Sequence, residues 1–201
     1  MAAPTVQEKY HDSNPVVRYV LRKFFNRIRA AVAEASPSTL LDAGCGEGEL
    51  MRRGALPSGV RVVSLDLRRE SLVFFREHSA QRNLVCGSLD ALPLVDKSVD
   101  VVLCLEVLEH LAKPAAAVAE LSRVARQAVI LSVPHEPYFR IGNVLRGKHL
   151  ERWGDHPEHV QHWNPRTFQA FLKPSFTQVR LSDAFPWIVA FCTPTAIANK
   201  L

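Results

Sequence analysis

Val17, Val20, Leu21, Phe24, Phe25 and Ile28 recur at three- and four-residue intervals, the spacing of one face of an α-helix. The pattern predicts a helix over residues 14–35, capped by Asn14 or Ser13, with Pro15 in its first turn. Short apolar runs then alternate with helical patterns. A strand over 39–43 runs into Gly44-Cys45-Gly46-Glu47-Gly48, and a helix starts at Glu49. Strand 61–67, helix 69–78 and a short strand at 83–86 follow. Residues 99–105 are nearly all apolar, bounded by Asp100 and Glu106, which suits a strand covered on both faces. Pro114 opens a helix to about 124, and strand 127–133 stops at Pro134. This alternation predicts a parallel sheet with helices on both sides. A last helix at 167–172 precedes two strand-like runs, 178–183 and 188–192. The short link Phe185-Pro186-Trp187 favours an antiparallel pair there.

Residues 135–166 break the pattern. They are rich in His, Trp, Arg, Gly and Pro and weakly periodic, and read as an inserted segment on the substrate side. With 201 residues, 47% hydrophobic and 22% charged, the chain fits one globular domain over 1–201 and not a disordered, collagen-like or coiled-coil chain. No apolar run approaches the roughly 18 residues of a membrane span, and MAAPTVQEKYHDS lacks a signal-peptide core. Cys45, Cys86, Cys104 and Cys192 form no C-x-x-C pair, which argues against a zinc ribbon or a disulfide scaffold and for a reducing cytoplasm. The net charge of +5 owes most to Arg18, Arg22, Lys23, Arg27 and Arg29 in the first helix. Such a helix either covers the sheet with a solvated basic face or makes weak contact with a membrane surface or RNA.

The glycine loop lies at a strand-to-helix turn, where glycine lets the backbone bend sharply and approach a ligand. It lacks the spacing of G-x-G-x-x-G, because the third glycine comes at Gly48, and no Gly-Lys-Ser/Thr follows. Asp66, at the end of the next strand, can accept from both hydroxyls of a ribose. Asp90, after the following strand, can take an adenine amino group. Together they describe a site for a nucleoside without a diphosphate.

LDAGCGEG (41–48), VVSLDL (62–67), GSLDALPLVDKSVDVVLCLEVLEHL (87–111) and ILSVP (130–134) stand in the order of a class I S-adenosylmethionine-dependent methyltransferase, which the chain resembles over most of 38–134. The group it resembles includes ubiquinone-biosynthesis enzymes. The resemblance implies a Rossmann-like seven-stranded sheet, mostly parallel with the last strand antiparallel. It also implies that Asp42, Gly44, Cys45 and Gly46 border the methionine half of the cofactor. Asp66 would hold the ribose, with Leu67 near the adenine. Ser88, Leu89 and Asp90 would cap that ring, and Leu105 and Glu106 would form a floor below the sulfonium. Tyr10 and His11 would close over the cofactor, and the N-terminal helix with 135–166 would form a lid.

The methyl on a sulfonium is already activated, so catalysis is mostly positioning, with a general base where the acceptor is a hydroxyl of high pKa. Glu106, His110 and His135 are the candidate catalytic residues. Five of the eight histidines lie in 135–166, and His159 and His162 stand one turn apart if their segment is helical. Carboxylates with imidazoles can bind Mg²⁺, Mn²⁺ or Zn²⁺. Glu106-x-x-Glu109-His110, with His159 ahead of WNPRTF (163–168), is similar to the metal site of small-RNA 3′-terminal 2′-O-methyltransferases. Alternatively, Glu109 and His110 only form a turn. Tyr138, Phe139, Trp153 and Trp163 offer an apolar pocket, and Arg140, Arg146, Lys148 and Arg152 a phosphate or carboxylate site, unless the segment only packs as a lid. The expectation is methyl transfer to a small-molecule acceptor, at oxygen before nitrogen or carbon. An RNA 2′-O-methyltransferase and a non-catalytic cofactor-binding scaffold are the alternatives.

Overall fold

The computed structural model describes residues 14–147 and 149–195. Helix α1 (Pro15–Ala35) starts where the Asn14 side chain accepts from Val16 N at 2.9 Å. It ends at Ser36 in the left-handed region. Its buried stripe of Leu21, Phe24, Phe25, Ile28 and Val32 packs against Leu40, Val101, Leu103, Ile130 and Val189 of the sheet. The basic residues of α1 are on its exposed side. Residues 15–35 thus cover the sheet; Tyr10, His11 and Ser13 lie outside the described residues.

The seven strands are β1 (Thr39–Ala43), β2 (Arg61–Asp66), β3 (Leu84–Cys86), β4 (Val99–Leu105), β5 (Ala125–Pro134), β6 (Phe176–Ala184) and β7 (Trp187–Pro194). Their order is β3-β2-β1-β4-β5-β7-β6. All pairings are parallel except those of β7, which runs antiparallel to both β5 and β6. Successive β4 residues serve opposite faces. Val101 and Leu103 meet α1, while Val102 and Cys104 join the second core. Two helices supply that core: α4 (Pro114–Val124), with Ala117, Val118, Leu121 and Val124, and α6 (Pro165–Leu172), with Phe168 and Leu172. This two-sided burial is why the strands read as unbroken apolar runs.

Short helices α2 (Glu49–Arg52) and α3 (Arg69–Glu77) follow β1 and β2. The segment after β5 holds a helix that the pattern did not show, α5 (Tyr138–Leu145), and a 3₁₀ turn at Leu150–Arg152. The helix is hidden in the sequence because apolar residues lie on both of its sides. Phe139 packs inward near Trp187, while Tyr138, Ile141 and Leu145 face outward. Asn143 ties α5 down by donating to Gly154 O at 2.9 Å. His159–His162 is not helical, which corrects the one-turn reading: His159 is buried and His162 instead contacts Asp155 at 2.9 Å. Among the described residues no helix is long and apolar enough to cross a membrane.

Candidate active site

The carboxyl ends of β1, β2 and β4 lie side by side, since Asp42 is registered with both Ser64 and Leu103. In parallel α/β sheets this edge is where ligands bind. The glycine loop bends back over it, with Gly44 N and Cys45 N donating to Leu65 O at 2.7 and 3.0 Å. Gly44 has φ +80°, and a Cβ there would stand 2.5 Å from Val107 Cγ2. At Gly48, φ is again +80° and a Cβ would stand 2.2 Å from the Phe75 ring. Both positions need glycine for handedness and for space.

Both oxygens of Asp66 are held from the backbone. Oδ2 accepts from Gly46 N and Oδ1 from Arg68 N, each at 2.8 Å. A carboxylate has about four lone-pair sites, so capacity remains for two more donors. Asp42 is almost fully buried, and its Oδ2 has no hydrogen-bond partner among the described residues. Burial, and then the nearby Asp66, push its carboxyl up to about 7. An orphaned acidic oxygen at the glycine loop suits a cationic group such as the ammonium of a methionyl moiety. Burial also raises the Cys45 thiol far above its ordinary range. Of the residues expected beside the adenine, Leu67 is 70% exposed and Leu89 is buried. Ser88 Oγ accepts from Asp90 N at 3.2 Å, and Asp90 is exposed. The Asp66 backbone carbonyl takes Gly87 N at 3.1 Å, which ties this turn to β2. The residues present fit S-adenosylmethionine.

The residues expected on the acceptor side follow β4 and β5. Leu105 is half-buried, and Glu106 follows it in the left-handed region with φ +57°. That conformation costs a non-glycine residue about 1–3 kcal/mol and persists only when its surroundings hold it. Here the Glu106 carboxylate accepts from Trp187 Nε1 at 2.6 Å and from Ser132 Oγ at 3.1 Å. Neither partner was legible in the sequence, because the contacts span 81 and 26 positions and exist only once β4, β5 and β7 are laid side by side. His135 donates its backbone N–H to Pro186 O at 2.9 Å, and its ring stands 5.0 Å from that of Tyr138.

Glu109 and His110 lie in a 3₁₀ turn (Leu108–His110) beyond β4. Val160 N and Gln161 N both donate to Glu109 O, at 2.9 and 3.1 Å, and this docks the returning chain so that His159 meets the turn. Ligand atoms of Glu109, His110 and His159 all lie within 4.8 Å of one another. Glu106 is not part of this group; its carboxylate is turned to Trp187 and Ser132. His110 Nδ1 is 3.0 Å from Glu158 O, a contact that needs the proton on Nδ1 and makes Nε2 the basic nitrogen of the neutral ring. His156 extends the cluster, 4.9 Å from His159 ring to ring, and His149 lies 5.0 Å beyond it.

Residues 41–133 match the model of a methyltransferase domain. Over 145 residues the chain is 31% identical to a malonyl-[acyl-carrier protein] O-methyltransferase of Serratia marcescens, covering 72% of this chain and 51% of that one. It is 30% identical over 158 residues to a ubiquinone biosynthesis O-methyltransferase of Idiomarina loihiensis, covering 72% and 59%. The chain spans about half the length of the curated relatives it matches. Among solved structures, magnesium protoporphyrin IX methyltransferase from Synechocystis PCC 6803 superposes with a TM-score of 0.66 at 18% identity, over 94% of this chain and 92% of that one. That likeness carries the fold. The chain belongs to the class I S-adenosylmethionine-dependent methyltransferases.

Proposed function

We propose that the chain methylates an oxygen of a small-molecule acceptor. When bound, S-adenosylmethionine supplies a methyl group already activated by its sulfonium. Asp66 would receive the two ribose hydroxyls, Asp42 the ammonium, and Leu67, Ser88, Leu89 and Asp90 would border the adenine. Gly44, Cys45 and Gly46 would follow the methionyl chain. The acceptor would lie over Leu105 and Glu106, with His135 or His110 taking its proton. The observation that carries this reading is the Asp66 carboxylate, preset by two backbone donors with two lone-pair sites to spare. Relatives named as O-methyltransferases support oxygen as the target.

Calorimetry with S-adenosylhomocysteine tests it. Wild type should bind in the micromolar range or tighter. Asp66→Ala should weaken binding about 10- to 100-fold, the loss of one or two hydrogen bonds to a charged acceptor. Unchanged affinity in the variant would refute the ribose placement.

A second reading concerns a divalent ion held by Glu109, His110 and His159 beside the acceptor. It is supported by the convergence of their ligand atoms and by the Nδ1 anchor on His110, which is the usual outer partner of a metal-binding imidazole. Two imidazoles and a carboxylate suit Mn²⁺ or Zn²⁺. Such an ion would orient an acceptor bearing neighbouring oxygens.

A further inference from the structure

Helix α1 carries a basic surface that covering the sheet does not require. Leu21, Phe24, Ile28 and Val32 fill its stripe against the sheet, while Arg18, Arg22 and Arg29 are exposed. Four and seven residues apart, these arginines lie within about 40° of one another around the helix and span about 17 Å of its length. The row continues onto the end of α2. The Arg53 guanidinium stands 4.8 Å from the ring centre of Phe25, which lies between Arg22 and Arg29, and Arg29 donates to Gly54 O at 3.1 Å. Four guanidinium groups thus follow one another at steps of about one helical turn. Glu49 pairs with Arg53 and stands 3.8 Å from Arg52, so it offsets one charge beside the row. The one acidic residue of 15–35, Glu34, is turned to Arg180 of β6 at 2.5 Å.

An aromatic ring stands beside this row. Tyr19 is 52% exposed, with the Arg22 guanidinium 5.7 Å and the Lys23 ammonium 5.8 Å from its ring centre. The phosphates of a nucleic-acid strand call for a row of cations, and an unpaired base calls for an open ring on which to stack. A helix lying on a membrane needs a wide apolar face, and the apolar face of α1 is occupied by the sheet. A protein interface centres on an apolar cluster, and the apolar member of this row, Phe25, is buried beneath Arg53. We infer that this face of α1 binds a single strand of nucleic acid, with the arginine row on its phosphates and Tyr19 against a base. The helix would bring such a strand to the carboxyl edge of the sheet. It leads into β1 through only residues 36–38, so its start lies toward the carboxyl ends of the strands. Phe24 already packs on Trp187, which pairs with Pro134 at the end of β5, and Tyr19 is more than a helical turn nearer the start. The inference does not depend on which acceptor is methylated.

Anisotropy of a fluorescein-labelled, single-stranded oligouridylate, titrated with the full-length protein at several salt concentrations, tests it. Affinity should fall with salt at a logarithmic slope of about −3, or about 0.7 for each of four contacted phosphates. The double variant Arg18→Glu/Arg22→Glu should weaken binding about tenfold or more and flatten the slope by about 1.4. Tyr19→Ala should weaken binding about 5- to 100-fold and leave the slope unchanged, because stacking releases no counterions. All three positions are exposed, and circular dichroism checks that the variants fold. Absence of binding by wild type overturns the inference, as does binding that both variants retain in full. A duplex of the same length bound as tightly, with no response to Tyr19→Ala, would show a contact to phosphates without a base and overturn the single-strand assignment. Displacement of the oligouridylate by polyglutamate as readily as by its unlabelled form would make the face a site for acidic protein, and equally overturn the inference.

Discussion

Trp187 donates its indole N–H to the Glu106 carboxylate at 2.6 Å, joining the first residue of the last strand to the residue just after the fourth. Trp187 is itself buried against Phe24 of α1, ring to ring at 4.7 Å. A sheet-covering helix, the reversed strand β7 and the Glu106 carboxylate are thereby held together. Trp187→Phe keeps most of the packing and removes the donor. Urea denaturation should show a loss of about 1–3 kcal/mol. Glu106, no longer held in its left-handed conformation, should cost turnover more than cofactor affinity. A fall in kcat with unchanged S-adenosylhomocysteine binding is the expected signature, and an equal loss of both would refute the positioning role.

Asp42 gives the site a pH dependence of definite sign. Its carboxyl sits at about 7 in the fold against an ordinary 3.8, so the folded protein favours the neutral acid. That contribution to stability is full below about pH 4 and is lost as pH rises through 7. Asp42→Asn should therefore raise the urea midpoint relative to wild type most at pH 8, by less at pH 5, and change it little near pH 4. A cationic ligand group would favour the ionised form, so wild type should bind S-adenosylhomocysteine about tenfold more tightly at pH 8 than at pH 6. The variant should lose this difference.

Two glycines with positive φ separate strain from crowding. At Gly48 an added methyl meets the Phe75 ring, while at Gly54 (φ +58°) nothing lies within 4 Å. Gly48→Ala should destabilise by about 2–4 kcal/mol, combining the handedness penalty with overpacking, and should weaken cofactor binding. Gly54→Ala should lose only about 1–2 kcal/mol and leave binding intact. Paired urea curves and calorimetry check both.

The divalent ion has its own test, separate from activity. Mn²⁺ titrated into protein saturated with S-adenosylhomocysteine should bind with one-to-one stoichiometry, and Glu109→Gln, close in shape at a fully buried position, should abolish that binding. Equal binding by both proteins would place the ion elsewhere. No binding by wild type would leave proton removal to His135 or His110 without a metal.

Much of this protein was legible from local pattern. The strands announced themselves because helices cover both sheet faces, so Val101 to Leu105 could be apolar throughout. Asn14-Pro15 marks a helix start by chemistry confined to a few residues, whereas the last helix, expected from 167, begins at Pro165 behind an Asn164 cap. The glycine loop, Asp42 and Asp66 are legible for the same reason, since a strand end and the turn after it lie within one short stretch. Residues 135–164 were not legible. Their helix α5 has apolar residues inside and outside, which erases the period that would have revealed it, and His159 reaches Glu109 through backbone hydrogen bonds to a turn some 50 positions away. The contact of Glu106 with Trp187 spans 81 positions and exists only because β7 reverses and lies beside β5. Sequence alone thus determined the sheet, its order of elements and the glycine loop with Asp42 and Asp66 at the strand ends, where the determinants are local. Tertiary structure decided the contacts of Glu106, Glu109, His110, His135 and His159, which join three separate connections only when the sheet has closed its order.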